Sequence, residues 1–123
     1  MPHIQRCSPV FSVVDPAKLA DHYVRILGFR LIEDALPDYA RVTRDHFEIH
    51  FHRVARPDAG EPVVHGYRGG AYFVVDDPDA LFEELDGRGA KIHYAPEDRP
   101  YGMRDFSVVD AEGFSLCFGQ PIG

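Results

Sequence analysis

The chain has 123 residues, 45% apolar and 27% charged, which suits one packed domain and argues against disorder. Its formal charge is −7, with thirteen basic residues interleaved among twenty acidic ones and no Lys/Arg cluster. A nucleic-acid partner, which needs a basic footprint, is therefore disfavoured, and no apolar run is long enough to span a bilayer.

The opening MPHIQRCSP has no apolar segment of the signal-peptide kind, so the expected location is the cytoplasm. Cys7 and Cys117 lie far apart in sequence and are expected as free thiols there. From Pro9 to Phe29 the chain reads as an apolar β-type run, then Asp15-Pro16, then a helical stretch with Leu19, Tyr23 and Ile26 at helical spacing, then Gly28. Asp15 is placed to accept orphan N–H groups, and a proline at the first helical position loses no needed donor. Short runs follow near Phe29–Glu33 and Asp38–Thr43. A final strand holds Phe47, Ile49 and Phe51 on one face and Glu48, His50 and His52 on the other.

The stretch 54–68, with Pro57, Gly60, Pro62 and Gly66, reads as a linker. The pattern then repeats. Ala71 to Ala90 is again an apolar run, Asp77-Pro78, a helix with Leu81 and Leu85, and Gly87 or Gly89 at its end. Runs near Ala90–Ala95 and Arg104–Asp110 come next, then a DAEG turn and a strand with Phe114, Leu116 and Phe118 on one face. Ser115 and Cys117 take the other face. The class is therefore α+β: two strand-helix-strand-strand-strand (βαβββ) modules over 8–53 and 69–120 of a single domain. They pair into a curved mixed sheet, with helices on the Phe-rich outer face and a concave cup inside.

Within the cup, Tyr39, Tyr67, Tyr72 and Tyr101 are candidate aromatic walls, Tyr39 and Tyr67 being equally readable as edge-of-core packing. Tyr72 shares the Gly70 side of its strand, facing the cup. Glu48 is placed to meet a ligand cation or to balance His50 or His52. Arg104 is expected in a structural ion pair, with Asp105, Asp110 or a partner chain as candidate partners. The pair His50 and His52 projects to one side about 7 Å apart, which suits a metal only with a third ligand. Cys117 could behave as a small hydrophobe or, near His50, as a nucleophile. The orientation of His93 and Tyr94 stays open.

The paired modules with DP-initiated helices, and the run YGMRDFSVVDAEGFSLCF, resemble the vicinal oxygen chelate superfamily of glyoxalases, bleomycin-resistance proteins and dioxygenases. The P-aromatic-G-x-R-[DE]-F run around Tyr101 is most similar to the bleomycin-resistance branch. The resemblance implies a cup in which enzymes hold a divalent metal from four positions, here Ser8, His50, Gly70 and Cys117. That set lacks the several imidazoles and carboxylates such metals need. It therefore implies no cofactor and no metal: a small-molecule binding protein that sequesters an aromatic or cationic ligand, such as an antibiotic, in a cleft of a homodimer. The ligand-binding set is then Tyr39, Glu48, His50, His52, Tyr72, Tyr101 and Cys117. Two alternatives stand beside it: a metal-dependent glyoxalase- or dioxygenase-like enzyme with a rearranged site around His50 and His52, and an interaction module with no dedicated ligand.

Overall fold

The computed structural model describes residues 2–32, 36–55 and 69–123. Most of the expected linker, Tyr67 included, lies outside the described residues. The chain forms β1 (Val10–Val13), α1 (Pro16–Arg25), β2 (Arg30–Ile32), β3 (Tyr39–Arg44) and β4 (Phe47–Arg53). The same order recurs as β5 (Gly70–Val74), α2 (Pro78–Gly87), β6 (Lys91–Asp98), β7 (Met103–Val109) and β8 (Ser115–Pro121). The strands make two four-stranded sheets of matching order, β1-β4-β3-β2 and β5-β8-β7-β6. In each, the first and last strands run parallel and the other pairs antiparallel. Among the described residues no helix is long and apolar enough to cross a membrane.

Both helices start as their sequences require. Asp15 accepts from the Lys18 N–H at 3.1 Å and Asp77 from the Ala80 N–H at 3.0 Å, each followed by proline. Such a cap stabilises a helix by about 1 kcal/mol. At the far end of α2, Gly87 is still helical, and Gly89, at φ +91°, takes the left-handed position.

One face of every strand but β2 feeds a single core. Leu19 and Tyr23 of α1 meet Phe11, Val42, Ile49 and Phe51, and Leu85 of α2 joins Phe106, Val108, Leu116 and Phe118 in the same buried cluster. The halves are tied through this side. The Phe11 and Phe114 rings stack with centroids 4.3 Å apart, and the buried Tyr23 hydroxyl donates to Asp110 Oδ2 at 2.6 Å. Arg44 grips Glu84 with two hydrogen bonds of 2.7 and 2.8 Å. Glu112 accepts from the N–H groups of Val14 and Asp15. Asp110 Oδ1 also accepts the Glu112 and Phe114 N–H groups, which closes the DAEG turn.

The opposite face of each sheet is where the candidate site residues gather. In the first sheet, register pairs Tyr39 with His52, Arg41 with His50 and Thr43 with Glu48. In the second it pairs Tyr72 with Cys117, Ser107 with Cys117 and Asp105 with Gly119. Phe47, expected beside Ile49 and Phe51, is exposed, because it opens β4 beyond the edge of the core. Among the described residues, β1 and β5 each pair with one strand, and they or their flanks expose Val10, Val14, Tyr72 and Val74.

Candidate functional site

On the first sheet, Tyr39, Glu48, His50 and His52 come together as alternation requires. The Tyr39 hydroxyl lies 2.7 Å from His50 Nδ1, and His50 Nε2 lies 3.0 Å from Glu48 Oε1. A ring protonated at Nε2 accepts from Tyr39 and donates to Glu48, so both of its nitrogens are engaged. His52 flanks Tyr39, with ring centroids 6.3 Å apart. Glu48 also accepts from Arg6 at 3.0 Å and from Arg41 at 3.4 Å. The His50 hydrogen bond, with Arg6 and Arg41 close by, holds the Glu48 carboxyl below its usual range.

On the second sheet, Tyr72, Tyr101 and Cys117 surround a residue that sequence reasoning gave no such place. Asp105 of β7 is fully buried. Its Oδ2 accepts from the Tyr72 hydroxyl at 2.8 Å and the Tyr101 hydroxyl at 2.6 Å, and its Oδ1 accepts from Arg99 Nε at 2.9 Å. Burial works to raise this carboxyl, but the three donors outweigh it and hold it below the usual range. The same hydrogen bond pushes the Tyr101 phenol up to about 12, while burial, helped by Asp105, raises that of Tyr72. Gly119 makes room for the arrangement, since a Cβ there would strike the Tyr72 hydroxyl and Asp105.

Arg104, a candidate partner of Asp105, turns the other way and pairs with Asp79 at 2.9 Å and Asp98 at 3.1 Å. Adjacent strand residues face opposite sides, so the ion-pair role stands with different partners. Tyr94 also belongs to the inner face. A register shift between Ile92 and Tyr94 breaks the alternation, leaving Ile92 opposite Val108 and Tyr94 opposite Ser107. The Tyr94 hydroxyl then sits 3.2 Å from Cys117 Sγ, and the Arg99 guanidinium lies 4.5 Å from the Tyr94 ring centroid. Burial pushes the Cys117 thiol up to about 11. The expected neighbour of Cys117, His50, is instead held by Tyr39 and Glu48.

A cleft of about 900 Å³ runs along the open edge of β5, between the halves. Phe29, Phe47, Phe73, Leu81 and Phe118 give it an apolar lining, and Tyr72 contributes to it as well as to the Asp105 cluster. That volume falls within the range of sites for drug-sized molecules.

A sequence profile of the Glyoxalase/Bleomycin resistance protein/Dioxygenase superfamily matches residues 2–118. The chain belongs to this superfamily. No curated protein is a significant match to the sequence. Among solved structures, the chain is similar to a bleomycin-binding protein from Streptomyces verticillus complexed with copper(II)-bleomycin. That match is 26% identical, covers 100% of this chain and 99% of the other, and has a TM-score of 0.74. TnmS3, an antibiotic binding protein from Streptomyces sp. CB03234, is 25% identical, with 98% of each chain covered and a TM-score of 0.73. A bleomycin resistance determinant encoded on transposon Tn5 shares the fold at 20% identity, with 96% and 98% covered and a TM-score of 0.76.

The four positions at which enzymes of the superfamily hold a metal do not form a coordination set in this chain. Gly70 has no donor, and a Cβ there would run into the Ser115 backbone carbonyl, so the position has no room for a ligating side chain. Ser8 precedes β1 and offers only a hydroxyl. Cys117 is a protonated thiol beside Tyr94, and the two His50 nitrogens are engaged. His50 and His52 do share a face, but among the described residues no three His, Cys, Asp or Glu side chains group closely enough to hold an ion.

Proposed function

We propose that this chain captures a small aromatic or cationic molecule, an antibiotic being one such class, and releases it unaltered. It does so without a metal, in a cleft that a second copy of the chain completes. The observation that carries this reading is the pairing of Tyr72 and Tyr101 on Asp105: two exposed rings whose polar ends are already fixed within the protein. Rigid aromatic surface with few free polar groups suits binding. Turnover needs an activated group; on the described inner faces Cys117 is a thiol with a raised pKa, His50 is bonded at both nitrogens, and His52 is exposed beside Tyr39. The similarity to a bleomycin-binding protein and to an antibiotic binding protein supports the same direction.

The homodimer follows from the open edges. Among the described residues, β1 and β5 each lie at the end of their sheet, and they or their flanks expose Val10, Val14, Tyr72 and Val74, a combination that suits cover by another chain. The test is a thermal-shift panel of aromatic and cationic antibiotics, with and without EDTA, followed by mass measurement of the recovered ligand. A ligand at a hundred times its Kd stabilises the folded state by about 2.7 kcal/mol, enough to move the melting temperature by several degrees. The expected result is stabilisation that EDTA leaves intact and a ligand recovered at its starting mass. Loss of the effect in EDTA, or a changed ligand mass, would contradict the proposal. Sedimentation at micromolar concentration should show a dimer, and a monomer would remove the second copy from the site.

A further inference from the structure

We propose that the inner face of the first sheet is an oxyanion site, where Arg41 and His52 receive the carboxylate of an aromatic acid while Arg6 and His50 hold Glu48. This assignment rests on the capture reading above and narrows its ligand from aromatic or cationic to aromatic and acidic.

Strand register builds the patch. Directly opposed residues of antiparallel strands share a face. Arg30, Thr43 and Glu48 therefore form one row across β2, β3 and β4. Ile32, Arg41 and His50 form the next, and Tyr39 and His52 a third, so Arg41 stands in the middle of the face. The whole chain carries a formal charge of −7. Among the described residues this face reverses that sign. Arg30 and Arg41 lie on it and Arg6 reaches it from the segment before β1, against the single carboxylate of Glu48. Asp38 and Arg53, next in sequence to Tyr39 and His52, pair with each other at 3.4 Å and cancel.

Glu48 is already spent. Its Oε2 accepts from Arg6 at 3.0 Å, and its Oε1 faces His50 Nε2 at 3.0 Å and Arg41 Nη1 at 3.4 Å. Two guanidiniums around one carboxylate leave a positive charge over. A ligand cation would have to displace Arg6 or Arg41, and such an exchange gives little net gain. An anion needs no displacement. Arg41 meets Glu48 only at the long end of hydrogen-bond range, and its side chain stays 32% exposed. Its planar fork of N–H donors matches a carboxylate with two parallel bonds. His52 is exposed on the same face, its ring centroid 6.3 Å from that of Tyr39, and an imidazole can add a further N–H donor. The cleft along β5 is a different place, lined by Phe73 and Phe118 from the core side. It carries Asp45, Asp76, Asp77 and Glu84 against Arg44, so its field repels an anion and steers the acid group to the first sheet. Asp45, in the β3–β4 turn, has Arg44 Nε at 3.8 Å.

The test has two arms. In the first, acetate replaces chloride at constant ionic strength while NMR follows the arginine Nε–H and histidine ring signals. The Arg41 and His52 signals should move along one saturating curve, and the His52 response should vanish in Arg41→Gln. Drift without saturation, or a His52 response unchanged in Arg41→Gln, overturns the site. In the second arm, calorimetry compares naphthoate, naphthylmethanol and naphthylmethylamine, which share a ring system and differ in charge. Naphthoate should bind about tenfold tighter than the alcohol, an advantage that shrinks as salt is raised. Arg41→Gln should remove about tenfold from naphthoate and leave the alcohol unchanged, and Arg41→Lys should restore part of the loss. Glu48→Gln gives the sign: it leaves more positive charge uncompensated, so naphthoate should tighten by about threefold. Arg53→Gln removes a positive charge outside the patch and should shift naphthoate by no more than about twofold. If Glu48→Gln does not fold, the two Arg41 variants decide. The amine or the alcohol binding as well as the acid, or Glu48→Gln weakening the acid, would remove the oxyanion site and leave the capture reading standing. Acetate saturation at Arg41 with no uptake of any naphthalene would keep the site and count against the capture reading.

Discussion

Replacing Tyr23 by phenylalanine removes one hydroxyl from the seam between the halves and nothing else. Tyr23 is fully buried, so the ring keeps its packing against Phe29 and Phe51 and no cavity opens. Asp110 Oδ2 loses the Tyr23 donor, while Oδ1 keeps the Glu112 and Phe114 N–H groups. A buried hydrogen bond to a charged group is worth about 1.5–3 kcal/mol. For a domain of this size that is a fall in melting temperature of roughly 5–15 °C. The pH dependence has a definite sign. Burial already lifts the Asp110 carboxyl above its usual value, partly offset by Tyr23 and the two N–H donors. A carboxyl raised in the folded state favours folding when protonated, a contribution present at low pH and lost as pH rises through the folded pKa. Without Tyr23 the folded pKa rises further, so the penalty is largest at neutral pH and shrinks on acidification. Urea denaturation of both proteins at neutral and mildly acidic pH measures this. A neutral-pH difference below about 0.5 kcal/mol, or a penalty that grows as pH falls, would refute the reasoning.

Tyr101→Ala should weaken an aromatic ligand by about five- to thirtyfold, the loss expected when roughly 1–2 kcal/mol of stacking and buried ring area disappears, and should lower the melting temperature by several degrees, because the buried Asp105 carboxylate loses one of its hydrogen-bond donors. Calorimetry checks the first and a thermal scan the second. Gly119→Ala should weaken the same ligand and destabilise the fold, since the methyl group displaces the Tyr72 hydroxyl and crowds Asp105 between paired strands; an unchanged ligand affinity would separate Tyr72 from the site. Iodoacetamide should modify exposed Cys7 first, with Cys117 reacting only as pH approaches about 11, read by peptide mass mapping. Fast alkylation of Cys117 in the folded protein at neutral pH would mean an activated thiol and reopen nucleophilic chemistry.

The parts of the fold legible in the sequence are those set by local chemistry. Asp15-Pro16 and Asp77-Pro78 announce helix starts because capping needs only residues three apart, and the two halves can be matched once those starts are seen. Strand alternation placed Tyr39, Glu48, His50 and His52 on one face because period two needs no tertiary information. The Asp105 cluster was hidden for the opposite reason. Arg99 lies before the turn at Tyr101 and Gly102 and reaches back across the β6–β7 hairpin, whereas Arg104, adjacent in sequence, faces away. Tyr94 joins the inner face only through the irregularity at Ile92, which leaves no mark in the residues themselves. Arg6 meets Glu48 across 42 positions, a pairing that no spacing rule supplies. The need for glycine at Gly70 and Gly119 shows only once the neighbouring strand is in place.

The claim that capture proceeds without a bound ion is tested most directly by elemental analysis of the purified protein, set beside ligand affinity measured in EDTA. The expected outcome is far less than one transition metal per chain and the same Kd with and without chelator. Close to one zinc, iron, nickel or manganese per chain, lost together with ligand binding in His50→Ala, would contradict it.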